Sequence, residues 1–260
     1  MKLFCEQQGS GPALIMAHGI FGSHENLGAI ARLLVDHFSL YRVDLRNHGR
    51  SPHADSMSYA EMAADIAELM DDYGLSQAAV LGHSLGGKVM MELATAQPAR
   101  VSQLIVADIA PVTYPSHHDP IVQGLQSINL AELKSRAEAD EQLKPFVDNQ
   151  TTRQFLLKNL QRHDDGQFTW RLNLPAITHN YPQLRFAVGE GRSYNRPTLF
   201  IRGELSKYIQ ERNFDTIYRQ FPNAKIETIP GASHWLHAEN PQLFTELVLN
   251  FIVEKGSHEY

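Results

Sequence analysis

Cysteine is nearly missing from this sequence. The 260 residues include one, Cys5, so an internal disulfide is excluded and the chain suits a reducing compartment. No nucleophile motif surrounds Cys5. We therefore expect it to contribute to core packing.

Long hydrophobic runs and basic patches are missing as well. No uncharged apolar span reaches the ~18 residues that cross a bilayer, and the apolar run in residues 1–7 is too short for a signal peptide. The net charge of −6 gives no reason to expect nucleic acid or an anionic membrane as a partner. We expect a cytoplasmic protein without such partners, folded as one unit, because this length suits one large α/β domain or one with an insertion.

The most informative motif lies between an apolar run at 78–81 and a segment of high helix propensity at 88–96. There Gly82, Ser84 and Gly86 satisfy the pattern G-x-S-x-G, in the strand, turn and helix context of a nucleophile elbow. The glycines leave room at a sharp turn where Cβ atoms would clash. Ser84 is the predicted nucleophile, and it needs a histidine base and an acid from elsewhere because a serine hydroxyl alone is a poor nucleophile.

Strand-like runs alternate with helical patterns along most of the chain. The runs are at 13–17, 39–43, 78–81, 101–107, 197–203 and 224–229. This βαβ spacing predicts an α/β fold, with a mostly parallel central sheet and helices on both faces. We expect residues 2–7 to add an edge strand and 241–253 to form the last helix. Ligands bind such sheets at the carboxyl ends of the strands.

The strand signal mostly disappears between about 114 and 195. Helical stretches are predicted near 119–128, 130–142, 150–162 and 175–188, broken by prolines and glycines. We predict a helical cap of residues 113–195 inserted into a core domain of residues 1–112 and 196–260. Such a cap would lie over the serine as a lid and supply the acyl pocket.

Three motifs resemble those of the α/β-hydrolase superfamily. They are the His18-Gly19 loop after the strand at 13–17, the elbow, and the stretch from Gly231 to Trp235 after the last strand. The resemblance implies an α/β-hydrolase fold with the chain order Ser, acid, His. It implies that His234 is the base.

The same resemblance bears on the role of His237 and on the oxyanion hole. His237 is the competitor of His234, but it runs into the last helix and is expected to cap or pack against it. An oxyanion hole would be formed by the backbone N–H groups of Ile20 and Leu85, whose side chains are irrelevant to that role.

The acid does not lie where many α/β-hydrolases have it, a few residues beyond the glycine after the penultimate strand. Ser206 occupies that offset, and a serine cannot stabilise the imidazolium. We predict Asp108 instead, because it ends the strand that follows the elbow unit, so that it and Ser84 should project from adjacent strands ~5 Å apart. Two alternatives stay open: Asp108 caps the turn before Pro111, or Glu204 is the acid.

Other polar residues are interpreted as structural. His18 is expected to hold its loop by hydrogen bonds, and the polar loop 44–51 to pair its charges internally. Lys88 lies four residues after Ser84, whereas a lysine base in S-x-x-K lies three away.

A metal site is suggested by His117, His118 and Asp119. Two adjacent histidines cannot easily face one ion. We therefore predict neither a metal nor a cofactor.

Two further segments narrow the resemblance. With Arg46-Asn-His-Gly49 and Asp108-Ile-Ala-Pro111, nearly the whole chain resembles the bacterial YbfF-type esterases. This implies that the Asp-Ile-Ala-Pro segment carries the acid, that the cap is small and helical, and that short-chain aryl and alkyl esters are hydrolysed, with some thioester activity on acyl-CoA. The segment at 202–205 departs from the family, which often has a second glycine and an asparagine there.

The expected function is a serine carboxylesterase that hydrolyses short-chain acyl esters of small molecules through an acyl-enzyme, with Ser84, Asp108 and His234 as its triad. One alternative is an acyl-CoA thioesterase or a menaquinone-pathway-type lyase. The lyase should bind a polyanion, yet the arginines at 136, 153, 162 and 171 form no cluster in the sequence. An alternative of another class is a noncatalytic sensor of a small ligand. Monomer and dimer are both compatible with the sequence.

Overall fold

The computed structural model describes residues 1–116 and 118–256, with only the backbone described for 253–256. Its main sheet has seven strands in the order β1-β3-β2-β4-β5-β8-β9, and a separate two-stranded sheet is formed by β6 and β7. The strands are β1 (Cys5–Gln8), β2 (Ala13–Ala17), β3 (Ser39–Val43), β4 (Ala78–His83), β5 (Val101–Ala107), β6 (Leu160–Arg162), β7 (Phe168–Trp170), β8 (Thr198–Gly203) and β9 (Ala224–Ile229). The helices are α1 (Gly28–Leu34), α2 (Tyr59–Asp72), α3 (Leu85–Ala96), α4 (Asp119–Ser127), α5 (Arg136–Leu143), α6 (Gln150–Leu157), α7 (Leu174–Leu184), α8 (Phe214–Gln220), α9 (Leu236–Glu239) and α10 (Pro241–Gly256).

The main sheet is parallel except at one edge. There β1 pairs antiparallel with β3, while the remaining neighbours pair in parallel. The central strands are apolar runs because both of their faces are covered, and all six residues of β4 are buried. Cys5 lies in the edge strand β1, where it is partly buried and packs against the core.

Helices cover both faces of the sheet, as predicted. On one face, Met62 of α2 and Val89 of α3 share a core with the inserted segment. On the other, Leu34 of α1 and Phe244 of α10 pack in a second core. None of the helices in the described residues is long and apolar enough to cross a membrane.

Residues 113–195, called the inserted segment below, connect β5 to β8, which are neighbours in the sheet. The segment contains α4 to α7, near the predicted helices. The prediction of a helix over 150–162 is wrong at its end, because α6 stops at Leu157 and β6 pairs with β7 in a hairpin. A turn closes the hairpin, with a hydrogen bond of 2.9 Å from the Gly166 N–H to the His163 carbonyl. Gly166 has a φ of 87°, a conformation that glycine adopts readily.

Buried amides attach the inserted segment to the loops at the carboxyl ends of the strands. Asn159 donates to the Phe21 carbonyl at 2.7 Å, and Asn180 donates to the Asp55 carbonyl at 2.7 Å. These bonds fix the segment above the strand ends because a buried amide without partners is costly.

Candidate active site

The elbow at Ser84 is a strained turn between β4 and α3. Ser84 has φ 52° and ψ −116°, a conformation that residues other than glycine rarely adopt. A Cβ on Gly82 would collide with the Gly86 carbonyl, and a Cβ on Gly86 with the Ala17 carbonyl. The turn therefore requires both glycines. They place Ser84 directly after the carboxyl end of β4.

The structure brings the three predicted triad residues together in hydrogen-bonding order. His234 Nε2 lies 3.1 Å from Ser84 Oγ, and His234 Nδ1 lies 2.7 Å from Asp108 Oδ2. His83 and Ala107 are register partners in β4 and β5, so Ser84 and Asp108 follow adjacent strands at the same edge. One imidazole can thus contact the serine hydroxyl and the carboxylate at once.

The two alternative residues lie elsewhere. Glu204 accepts a hydrogen bond from the Gly231 N–H at 2.7 Å, and its side chain is exposed. His237 is buried against the rings of His83 and Phe244. Neither side chain forms a hydrogen bond with His234 or Ser84 in the described part of the chain.

Asp108 is fully buried at 0% exposure and is held on several sides. Its Oδ1 accepts from the Gly203 N–H at 3.2 Å, and its Oδ2 accepts from the Ser206 hydroxyl as well as from His234. Its own φ is 52°. Ser206, considered in the sequence only as the place of a missing acid, therefore donates a hydrogen bond to the Asp108 carboxylate.

Both the ring and the backbone of His234 are held by further contacts. The Tyr208 ring stacks on it with centroids 4.0 Å apart, and His83 Nε2 lies 2.8 Å from the His234 carbonyl. Burial lowers the pKa of His83, which keeps it neutral with Nε2–H as the donor to that carbonyl. Tyr208 could not be recognised from the sequence, because its stacking depends on how β8 and β9 bring two loops together.

The predicted oxyanion donors lie beside Ser84. Ile20 and Leu85 line the same cavity as the serine, and the His18 carbonyl accepts from the Gly86 N–H at 3.0 Å, which ties the two loops together. Within the described residues the Ile20 and Leu85 N–H groups donate to no other group. Since α3 begins at Leu85, the positive end of its dipole also points to this place.

Two small cavities meet at Ser84. The first, called the α3 pocket, has a volume of about 50 Å³ and is lined by residues that include Tyr59, Leu85, Lys88, Ile109, Tyr114 and Leu184. The second, called the His234 pocket, is lined by residues that include Phe21, Phe155, Leu156, His234 and Trp235. A wider cleft of about 650 Å³ lies outside them and also borders His234. Ser84 lines both small cavities, whereas His234 lines only the second of them.

Several polar residues have the structural contacts that were expected. His18 Nδ1 lies 2.8 Å from the Gly19 carbonyl, and its Nε2 accepts from the Leu45 N–H at 3.1 Å. In loop 44–51, Asp44 accepts from the backbone N–H of Arg50 at 2.8 Å, but its carboxylate also lies 2.9 Å from His24 Nδ1, and Arg46 pairs with Asp65 of α2 at 2.6 Å. The prediction that the loop pairs its charges internally is therefore wrong, because both side chains find their partners outside it.

Two of the three residues of the suggested metal site, His118 and Asp119, lie in the described part of the chain. His117 lies outside the described residues, and His118 Nδ1 lies 3.0 Å from the Tyr181 hydroxyl. Among the residues that the structure describes, no group of three or more His, Cys, Asp or Glu side chains could hold a metal ion.

Comparison with known proteins gives the family. The family model described as alpha/beta hydrolase fold matches residues 12–241. The chain belongs to this family. It is 34% identical to the esterase YbfF of Escherichia coli (strain K12), with 95% of each chain covered. It is 37% identical to the sn-1-specific diacylglycerol lipase of Mus musculus, with 93% of this chain and 81% of that one covered.

A solved structure is similar over nearly the whole chain. The marine microorganism esterase has a TM-score of 0.94 and 43% identity, and the match covers 96% of this chain and 99% of that one. These similarities confirm the predicted fold and the resemblance to YbfF-type esterases. They support an esterase on the α/β-hydrolase fold.

Proposed function

We propose that the protein is a serine carboxylesterase that hydrolyses short-chain acyl esters through an acyl-enzyme. The observation that carries the proposal is the His234 imidazole placed between Ser84 Oγ at 3.1 Å and the Asp108 carboxylate at 2.7 Å. This order of contacts is what serine activation needs, because Nδ1–H must face the acid for Nε2 to accept the serine proton.

The reaction follows from these contacts. Ser84 Oγ attacks the ester carbonyl as His234 Nε2 removes its proton, and Asp108 stabilises the resulting imidazolium. The Ile20 and Leu85 N–H groups bind the oxyanion of the tetrahedral intermediate. His234 then protonates the leaving alkoxide, and a water molecule repeats the steps to release the acid and restore Ser84.

The two cavities receive different parts of the ester. The leaving alkoxide must be protonated by His234, so it must lie on the side of Ser84 that His234 faces. Of the two cavities only the His234 pocket borders that residue. The α3 pocket therefore takes the acyl group. The inserted segment serves as the cap, since its Leu184 and Leu156 line one pocket each.

The small volume of the α3 pocket sets the acyl length. Its volume of about 50 Å³ holds roughly three to five water-sized positions, which suits a short aliphatic chain.

We also propose that the protein is cytoplasmic. The single cysteine supports this location, because it suits a reducing compartment.

A lyase for a polyanion is less well supported. Of the four arginines considered from the sequence, two are paired in ion pairs, Arg153 with Asp140 and Arg171 with Glu25. None of the four lines the α3 pocket or the His234 pocket. A noncatalytic sensor would have no need of a histidine that contacts both a serine and a carboxylate.

The test is the hydrolysis of p-nitrophenyl acetate, butyrate and octanoate by the wild type and by Ser84→Ala. We expect Ser84→Ala to lose at least 10³-fold in kcat. Ser127→Ala is the matched control, because Ser127 is an exposed residue whose hydroxyl donates to the Gly124 carbonyl of its own helix. Full activity in Ser84→Ala would refute the proposal, and turnover of an anionic substrate without ester hydrolysis would favour the lyase.

A further inference from the structure

Lys88 is a buried lysine in the wall of the α3 pocket. It is 2% exposed and lies one helical turn after Ser84. Its ammonium donates to three carbonyl oxygens, those of Val112 at 2.9 Å, Arg185 at 3.1 Å and Phe186 at 2.6 Å. An ammonium has three donors, so all are used. Burial lowers the pKa of Lys88 to about 7.

Two of these acceptors directly follow a helix in the inserted segment: Arg185 is the C-cap of α7, and Phe186 is the next residue. Helix α7 stops at Leu184, and its last carbonyls have no partner within the helix. They also carry the negative end of the helix dipole. Lys88 of α3 therefore caps α7 from outside and joins the core to the inserted segment beside the pocket. Tyr59 adds a bond of 2.5 Å from its hydroxyl to the Leu184 carbonyl.

A second contact between α3 and the inserted segment lies one turn further along. Glu92 accepts from the Gly189 N–H at 3.1 Å and from Arg192 at 2.6 Å. Glu92 does not line the α3 pocket, however. Lys88 and Glu92 thus both attach the inserted segment to α3, but of the two only Lys88 lines the α3 pocket.

The position of Lys88 sets a limit along the pocket. An acyl group on Ser84 that extends along α3 travels one helical turn, roughly 5.4 Å, before it reaches the Lys88 side chain. The rings of Tyr59 and Tyr114 flank the ammonium at 5.6 and 5.0 Å. A longer chain would have to displace Lys88 and break its hydrogen bonds to the three carbonyls, which is unfavourable. Of these carbonyls, that of Arg185 would keep a donor, the Tyr114 N–H at 2.9 Å.

We propose that Lys88 is a specificity-determining residue: its side chain, fixed by three carbonyls, closes the α3 pocket and limits the acyl chain to short lengths. The inference rests on the proposed esterase function and on the assignment of the α3 pocket to the acyl group. It assigns Lys88 no part in proton transfer.

The test compares kcat/KM for p-nitrophenyl octanoate with that for p-nitrophenyl acetate. In Lys88→Met the flexible side chain has no donors and yields to a longer chain, so we expect the octanoate to acetate ratio to rise at least tenfold. Glu92→Gln loosens the second contact outside the pocket, and Lys158→Met changes an exposed lysine. Both should keep the ratio within twofold of the wild type.

The outcomes separate this inference from the proposed function. An unchanged ratio in folded Lys88→Met, or an equal rise in Glu92→Gln, would overturn the inference. If Lys88→Met does not fold, Lys88→Gln keeps two N–H donors on a shorter side chain, and its ratio must rise as well. Hydrolysis that survives in Ser84→Ala would instead overturn the esterase proposal itself.

Discussion

Replacing Asp108 by asparagine changes the donor pattern of the site without changing its shape. The Gly203 N–H is a fixed backbone donor to Asp108 Oδ1 at 3.2 Å, so the amide oxygen should stay on that side. The amide NH₂ then faces His234 Nδ1, which in the wild type lies 2.7 Å from Asp108 Oδ2. Two donors cannot face each other, and Nδ1 must therefore lose its proton.

The magnitude follows from the tautomer. With the proton on Nε2, His234 cannot accept one from Ser84, and an acid-to-amide change of this kind costs about 10⁴ in kcat in a serine protease triad. We expect a loss of about 10³ to 10⁴, or roughly 4–5.5 kcal/mol of transition-state stabilisation. KM should change little because Asp108 is fully buried and lines neither pocket.

The assay is steady-state hydrolysis of p-nitrophenyl butyrate at neutral pH by the wild type, Asp108→Asn and Glu204→Gln. Glu204→Gln is the control for a lost carboxylate near the same loops, since Glu204 contacts the Gly231 N–H rather than the imidazole. A loss of less than tenfold in Asp108→Asn, or a larger loss in Glu204→Gln, would show that Asp108 is not the acid that orients His234.

Two other predictions concern stability and the oxyanion. Burial lowers the pKa of His237 to about 3, below the ~6.5 of an unfolded chain. The unfolded state therefore takes up the proton first as pH falls, and the free energy of unfolding should decline from about pH 6.5 towards 3. The Tm of His237→Leu should thus fall less between pH 7 and pH 5 than the Tm of the wild type. An equal fall in both proteins would contradict this. Replacing the Leu85 backbone N–H by an ester oxygen should lower kcat by about 10² to 10³; an unchanged kcat would remove Leu85 from the oxyanion hole.

Local patterns in the sequence predicted the strands of the sheet and the chain order of the candidate triad, Ser84, Asp108 and His234. The β9 bounds, 224–229, match the prediction, because a short segment of alternating apolar and polar residues bounded by turn residues indicates a strand directly. Asp108 could be found because parallel strands end at one edge, so a carboxylate after β5 had to lie near Ser84.

Contacts between distant loops could not be predicted in the same way. The Ser206 bond to Asp108 depends on the pairing of β5 with β8, which the pattern of each strand does not specify. The hairpin of β6 and β7 had a local signal, the Asp165-Gly166 pair typical of turns, but the helical pattern before it outweighed that signal. The role of Lys88 depends on three carbonyls that the fold alone brings together.

The most direct measurement of the central claim is the site of covalent labelling by a fluorophosphonate, located by peptide mass spectrometry. We expect one adduct on Ser84 in the wild type, none on Ser84→Ala, and much slower labelling of Asp108→Asn. An unlabelled wild type, or an adduct on another residue that persists in Ser84→Ala, would contradict the claim that Ser84 is a nucleophile activated by His234 and Asp108.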